Sequence, residues 1–222
     1  MKHNVLPVFL ILIFVLAAGC RPEGENLAAF IHSEKETRYE GTLEYMHTLH
    51  MVKEEKEGTT RKVFFRGEIE DLSGGENPDQ DWFLFTEVFT VKPDRLIHTV
   101  EGKMAVNHSI IPDKIILKTP LKEGNRWTQN FTYQGKKYQA QTEIIKIEGE
   151  QGKREIRTET RVEGLKAFPG GVYKEISVYK ENEGLVYYER TLEKELGFNF
   201  QMWKAGTDIS GYIQLESSSS GQ

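Results

Sequence analysis

A chain of 222 residues with 29 Lys and Arg against 34 Asp and Glu carries a net charge of −5. That balance leaves no electrostatic footprint for nucleic acid and no polybasic patch for anionic lipid. A single cysteine excludes an internal disulfide, and the length suits one large or two small domains with a real core.

The N-terminus reads as an export signal. Lys2 and His3 form a short basic stretch, Val5 to Leu16 is almost wholly apolar, and Ala17, Ala18 and Gly19 are small. The apolar run is shorter than the roughly 20 residues an ordinary membrane-spanning helix needs. An ordinary signal followed by a chance cysteine is one reading. The ending Leu16-Ala17-Ala18-Gly19-Cys20 goes further and resembles a bacterial lipobox. That resemblance implies cleavage after Gly19, with Cys20 as the mature N-terminus carrying a diacylglycerol on sulfur and fatty acids such as palmitate. One acyl chain anchors only marginally, at about 0.8 kcal/mol per buried CH2, whereas two hold stably. The expected organisation is a signal peptide over 1–19, a lipidated N-terminus and stalk over 20–38, one antiparallel β domain over 39–216 and a flexible tail over 217–222. The expected location is the cell membrane, facing away from the cytoplasm.

Leu27 to His32 has the length of one or two helical turns. Beyond it the apolar period is two. Leu43, Tyr45, His47, Leu49 and Met51 alternate with polar residues, as in a half-buried strand. A charged turn over Glu54 to Thr60 precedes a strand over Lys62 to Ile69. Trp82 to Val91 is apolar on both faces and reads as a central strand. Leu96 to Val100 follows, and Met104 to Asn107 is a candidate for pairing back. Ile115 to Lys118 and Trp127 to Tyr133 flank a turn. Gln134-Gly135-Lys136 signals a tight hairpin returning through Tyr138 to Ile147. Glu155 to Val162, Tyr173 to Lys180, Leu185 to Leu192, Gly197 to Lys204 and Ile209 to Glu216 complete the series. Strands about ten residues apart predict an all-β antiparallel meander with little helix, forming a sandwich or a partly closed (half) barrel. Thr42 to Asp71 and Tyr138 to Val162 read as two similar meanders.

The segment Leu117-Lys118-Thr119-Pro120-Leu121-Lys122-Glu123-Gly124-Asn125-Arg126-Trp127 has the pattern LKxPLKxGxxW. With Phe168-Pro169-Gly170-Gly171-Val172-Tyr173-Lys174 and Gly184-Leu185-Val186, it resembles uncharacterised extracytoplasmic lipoproteins of Gram-positive, spore-forming-type bacteria. The resemblance covers about Tyr39 to Glu216. Val172 departs from the threonine usual there, and the stretch from Tyr173 to Gly184 is shortened. The resemblance implies fold and location, and carries no activity with it.

Candidate sites are few. Met46-His47-Thr48-Leu49-His50-Met51 has metal-binding side chains, but on a strand His47 and His50 face opposite ways. Glu76 to Asp81 resembles a calcium loop only in composition, because Trp82 and Val88 stand where such a loop needs glycine and glutamate. No nucleophile elbow, His-Glu-x-x-His or phosphate loop is present. The expectation is therefore no catalytic residue, no metal and no cofactor. Aromatics remain. Trp82, Trp127, Tyr133, Tyr187 and Trp203 are candidates to line a ligand groove, although in a sheet such residues mostly fill the core. Pro120 to Trp127 reads as a structural turn that points Trp127 inward. The expected function is a non-catalytic binding or scaffolding module. Its partners would be the bilayer through acylated Cys20 and an envelope protein or hydrophobic ligand. The alternatives are a carrier of a hydrophobic ligand and an enzyme acting on envelope polymers.

Overall fold

A computed structural model describes residues 25–71, 80–103 and 108–213. Gly19 and Cys20, the tail over 217–222, Met104 to Asn107 and Glu76 to Asp79 lie outside them.

The chain forms β1 (Glu36–Gly41), β2 (Met46–Glu57), β3 (Thr60–Ile69), β4 (Leu84–Lys92), β5 (Arg95–Gly102), β6 (Lys114–Lys118), β7 (Arg126–Tyr133), β8 (Lys136–Glu148), β9 (Glu155–Glu163), β10 (Val172–Lys180), β11 (Gly184–Thr191) and β12 (Asn199–Lys204). They make one 12-stranded sheet in the order β6-β5-β4-β3-β2-β1-β12-β11-β10-β9-β8-β7. Every pairing is antiparallel, and all but β1 with β12 join strands adjacent in sequence. The sheet curls into a nearly closed barrel, so the expected all-β meander takes the barrel form. Side chains of β7 bridge the seam to β6. Ile115 N donates to Gln129 Oε1 at 2.9 Å, and Trp127 Nε1 donates to Ile115 O at 3.1 Å. Gln129 Nε2 reaches Pro112 O and Asp113 O at 3.1 and 2.9 Å. Edge groups that would otherwise need water or another strand are thus satisfied.

Inward residues follow the two-residue alternation. Tyr39, Leu49, Val63, Phe65, Phe85, Phe89, Trp127, Ile144 and Ile156 share one core cluster. Gly67 makes room for it, since a Cβ there would fall 2.1 Å from the Phe85 ring. A 3-10 turn, Leu27–Phe30, closes one end by burying Leu27, Phe30 and Ile31. It is tied down by Asn182 N donating to Ala29 O at 2.6 Å and by Leu121 N donating to the Glu25 carboxylate at 2.8 Å. At the other end Ile111 packs with Phe131, Val162, Leu165, Phe168 and Tyr173.

The structure corrects several expectations. Ile209 to Glu216 is not a strand where it is described: Ser210–Ile213 forms a short helix, α1, begun by Asp208 Oδ1 accepting from Ser210 N at 3.0 Å. Ile209 and Tyr212 cover Ile176, Val178, Val186 and Tyr187 on the outer side of the sheet. The Trp82 to Val91 segment is buried on one face only. Phe85, Glu87 and Phe89 point inward, Leu84 and Val88 are half-buried outside, and Trp82 lies in the 3-10 turn Gln80–Phe83, 47% exposed. Leu43 does not start a strand: it adopts φ +60 and is 76% exposed. On β2, Met51 is in register with buried Phe65 but is exposed, and the alternation breaks just beyond it at a bulge between Met51 and Lys53. The charged turn at 54–60 is a strand to Glu57 that reverses at Gly58 and Thr59. β1 lies partly in the expected stalk, because its polar sequence alternates a buried Thr37 and Tyr39 with exposed charges.

Candidate functional site: a polar interior and an acidic outer groove

Charged residues in phase with core residues put polar groups inside the barrel. On β4, Glu87 alternates with Phe85 and Phe89 and is 4% exposed. It meets His98 of β5 at 2.9 Å between Oε2 and Nε2. Burial alone would push the Glu87 carboxyl up. The His98 ring outweighs this, with His108 and His47 adding to it, and holds the carboxyl at about 2. His32 and His47 are lowered to about 4 and His108 to about 3, in each case by burial against the opposing pull of Glu87. His47 stacks on Tyr39 at 4.6 Å. Neither His47 ring nitrogen, nor Nε2 of His32 or His108, has a hydrogen-bond partner among the described residues. His32, Tyr39, His47, Glu87, His98 and Tyr179 line a cavity of about 10 Å³. That is room for about one water and none for an acyl chain. A His–carboxylate pair works as acid–base machinery only where substrate reaches it; here the Glu87 side chain is 6% exposed and that of His98 19%.

A second buried network lies across the barrel. Lys114 Nζ pairs with Glu175 Oε2, and Tyr173 Oη and Tyr188 Oη (3.1 Å) donate to Glu175 Oε1. Burial pushes the Glu175 carboxyl up, but Lys114 outweighs it and the net shift is down. The carboxylate is fully partnered, which marks the network as a structural clamp of β6 to β10 and β11.

The outer face of β1 to β4 carries a different arrangement. Ladder register sets Glu36, His50 and Arg66 in one row, and Arg38, Thr48, Glu68 and Leu84 in the next. Asp71, Glu70, Ile69 and Phe83 complete a groove of about 470 Å³ with these rows. His50 Nδ1 lies 3.4 Å from Glu36, and Arg38 reaches Glu70 at 3.1 Å. Four acids line the groove against Arg66 and His50. Trp82 stands beside it on the turn that supplies Phe83.

The five groove aromatics expected from sequence are not gathered in one place. Trp127 is in the core, 5% exposed, and Tyr133 is half-buried near Phe168. Tyr187 and Trp203 are cross-strand neighbours under Ile209 and Tyr212. Trp82 alone adjoins an open groove. His47 is buried and His50 exposed, on opposite faces as the strand reading requires. Among the described residues no three His, Cys, Asp or Glu side chains are grouped to hold a metal ion. The sequence reading missed Glu87, Lys114 and Glu175. The available signal was phase: Glu87 alternates with Phe85 and Phe89, Lys114 with Ile116, and Glu175 with Tyr173 and Ser177.

No described protein family matches the chain, and no curated protein matches it. Two solved structures are similar. One is a protein provisionally assigned as exported, with a YmcC-like fold, from Bacteroides fragilis NCTC 9343; it is 10% identical, with a TM-score of 0.44 over 79% of this chain and 96% of that one. The other is provisionally assigned as a lipoprotein, from Parabacteroides distasonis ATCC 8503; it is 10% identical, with a TM-score of 0.42 over 79% of this chain and 96% of that one.

Proposed function

We propose that this protein is a membrane-anchored, extracytoplasmic lipoprotein acting as a binding or scaffolding module. It would be of the kind its Leu117–Trp127 segment resembles in Gram-positive, spore-forming-type bacteria. The lipobox ending at Cys20 supports the anchor. Glu25 is held against Leu121 at the end closed by Leu27–Phe30. Five residues can span at most roughly 17 Å, so an acylated Cys20 would set that end next to the bilayer and turn the opposite rim outward. The observation that carries the module reading is the filled interior. With the interior cavity lined by described residues at only about 10 Å³, this reading puts recognition on the outer surface in preference to a carrier's chamber. The enzyme alternative draws on Glu36, Glu68, Glu70 and Asp71 converging in the outer groove, since carboxylate pairs serve glycoside hydrolysis. Turnover of an envelope polymer by the purified protein would replace the binding reading.

Labelling cells with a fatty-acid analogue tests the anchor. Wild type should take up label and fractionate with membrane. Cys20→Ser should take up none and leave the membrane or remain uncleaved. An unlabelled wild type would defeat the lipoprotein reading.

A further inference from the structure

We propose that the outer groove of β1 to β4 docks a lysine- or arginine-bearing segment of another extracytoplasmic protein, with an apolar side chain of that segment seated against Phe83 and Leu84. The proposal rests on the binding-module reading and gives it a site and a ligand class. Three observations support it. The groove lining is acidic on balance, with Glu36, Glu68, Glu70 and Asp71 against Arg66, His50 and the neighbouring Arg38 that pairs with Glu70, so a cation is drawn in by charge complementarity. Its wall is apolar, because Phe83 and Leu84 are only half-buried there.

The third observation is the adjoining rim. Exposed large apolar side chains lie on three successive connections around the sheet: Leu196 and Phe198 between β11 and β12, Leu43 between β1 and β2, and Trp82 between β3 and β4. Leu43 is displayed at a cost. It and Glu44 take φ of +60 and +58, a left-handed conformation unfavourable for a side chain of this size. The turn is held there by Thr42 Oγ1, which donates to Gln201 O at 3.0 Å and accepts from Gln201 N at 2.8 Å. Glu44, Glu70, Asp71, Asp81 and Glu195 are exposed on these connections against Lys194. Apolar anchors ringed by acids fit a partner with apolar residues ringed by bases.

The test uses the detergent-extracted full-length protein and a synthetic peptide alternating lysine and leucine, with the same peptide carrying glutamate for lysine as control. The peptides lack tryptophan, so Trp82, 47% exposed, reports docking by a blue shift of its emission. The lysine peptide should bind, shift the emission, and weaken about tenfold or more when salt rises severalfold. Glu36→Lys with Glu68→Lys should weaken it by about tenfold again. Glu150→Lys with Glu163→Lys, the same charge change on exposed sites elsewhere, should leave it within about twofold. Circular dichroism of both double variants checks that the fold persists. Equal binding of the glutamate peptide, equal loss in both double variants, or no emission shift would overturn the groove assignment. Fatty-acid labelling of Cys20 is read separately, so the anchor and the groove can fail independently.

Discussion

Trp127 shows how much one side chain can do in this fold. It is 5% exposed, packs in the main core cluster and donates Nε1 to Ile115 O across the β6–β7 seam. Trp127→Ala should therefore cost about 3–5 kcal/mol in urea unfolding, whereas exposed Lys122→Ala should change stability by less than about 0.5 kcal/mol. Solvent-accessible fluorescence from Trp127, or a truncation without cost, would refute its structural role. The inward aim of Trp127 was legible in the sequence, because Phe131 and Tyr133 share its phase. The buried histidines give a pH dependence. His32 and His47 titrate near 4 and His108 near 3 when folded, against about 6.5 when unfolded. Below about pH 6.5 the unfolded chain takes up protons that the folded interior refuses, so stability falls as pH falls. Glu87, held at about 2, loses its contribution in the same direction from about pH 4.5 downward. Urea midpoints should drop steadily between about pH 7 and pH 5, with each histidine contributing up to about 1.4 kcal/mol per pH unit. A flat profile would mean that these rings are solvated.

At the scale of elements, the N-terminal plug is held by the β10–β11 turn. His32 Nδ1 sits 2.4 Å from where a Cβ on Gly184 would stand, and Gly184 has φ +75. Ser33 Oγ donates to Asn182 O at 2.7 Å in the same turn. Gly184→Ala should displace the plug: protease should cut near Leu27 to His32 in the variant, and stability should fall by more than about 1 kcal/mol. Resistance equal to wild type would show that the plug seats without this turn. Strands with a clean apolar alternation, such as β3 and β7, were readable from sequence. β1 was not, because only Thr37 and Tyr39 face inward among charged neighbours. The 209–213 segment was misread because Ile209 and Tyr212 suit a covering helical turn as well as a strand, and only tertiary packing on Tyr187 decides between them.

At the scale of the whole molecule, β2–β3 and β8–β9 hold equivalent places in the runs β1–β6 and β7–β12, each pair with a bulge in its first strand. The faint sequence echo between Thr42–Asp71 and Tyr138–Val162 falls on these two hairpins. Strand spacing made the meander legible. The choice between the two expected forms, sandwich and partly closed barrel, was not legible, because closure depends on one non-local pairing and on side chains meeting at a seam. The outer groove was equally hidden: its acids lie on β1, β3 and the β3–β4 connection, and register brings them together.

The β1–β12 ladder carries a consequence for the order of folding. It joins Tyr39 to Lys204, Glu40 to Trp203 and Gly41 to Met202, while the other ladders join neighbours in sequence. Each hairpin closes a short loop, but this ladder closes nearly the whole chain and must repay that entropy through few contacts. The two runs of strands can therefore form as separate meanders early, with their union late and rate-limiting. Until it forms, β1 and β12 present open edges to other copies of the chain. The time before this short weld is made is thus the interval in which the newly made protein is most exposed to misassembly.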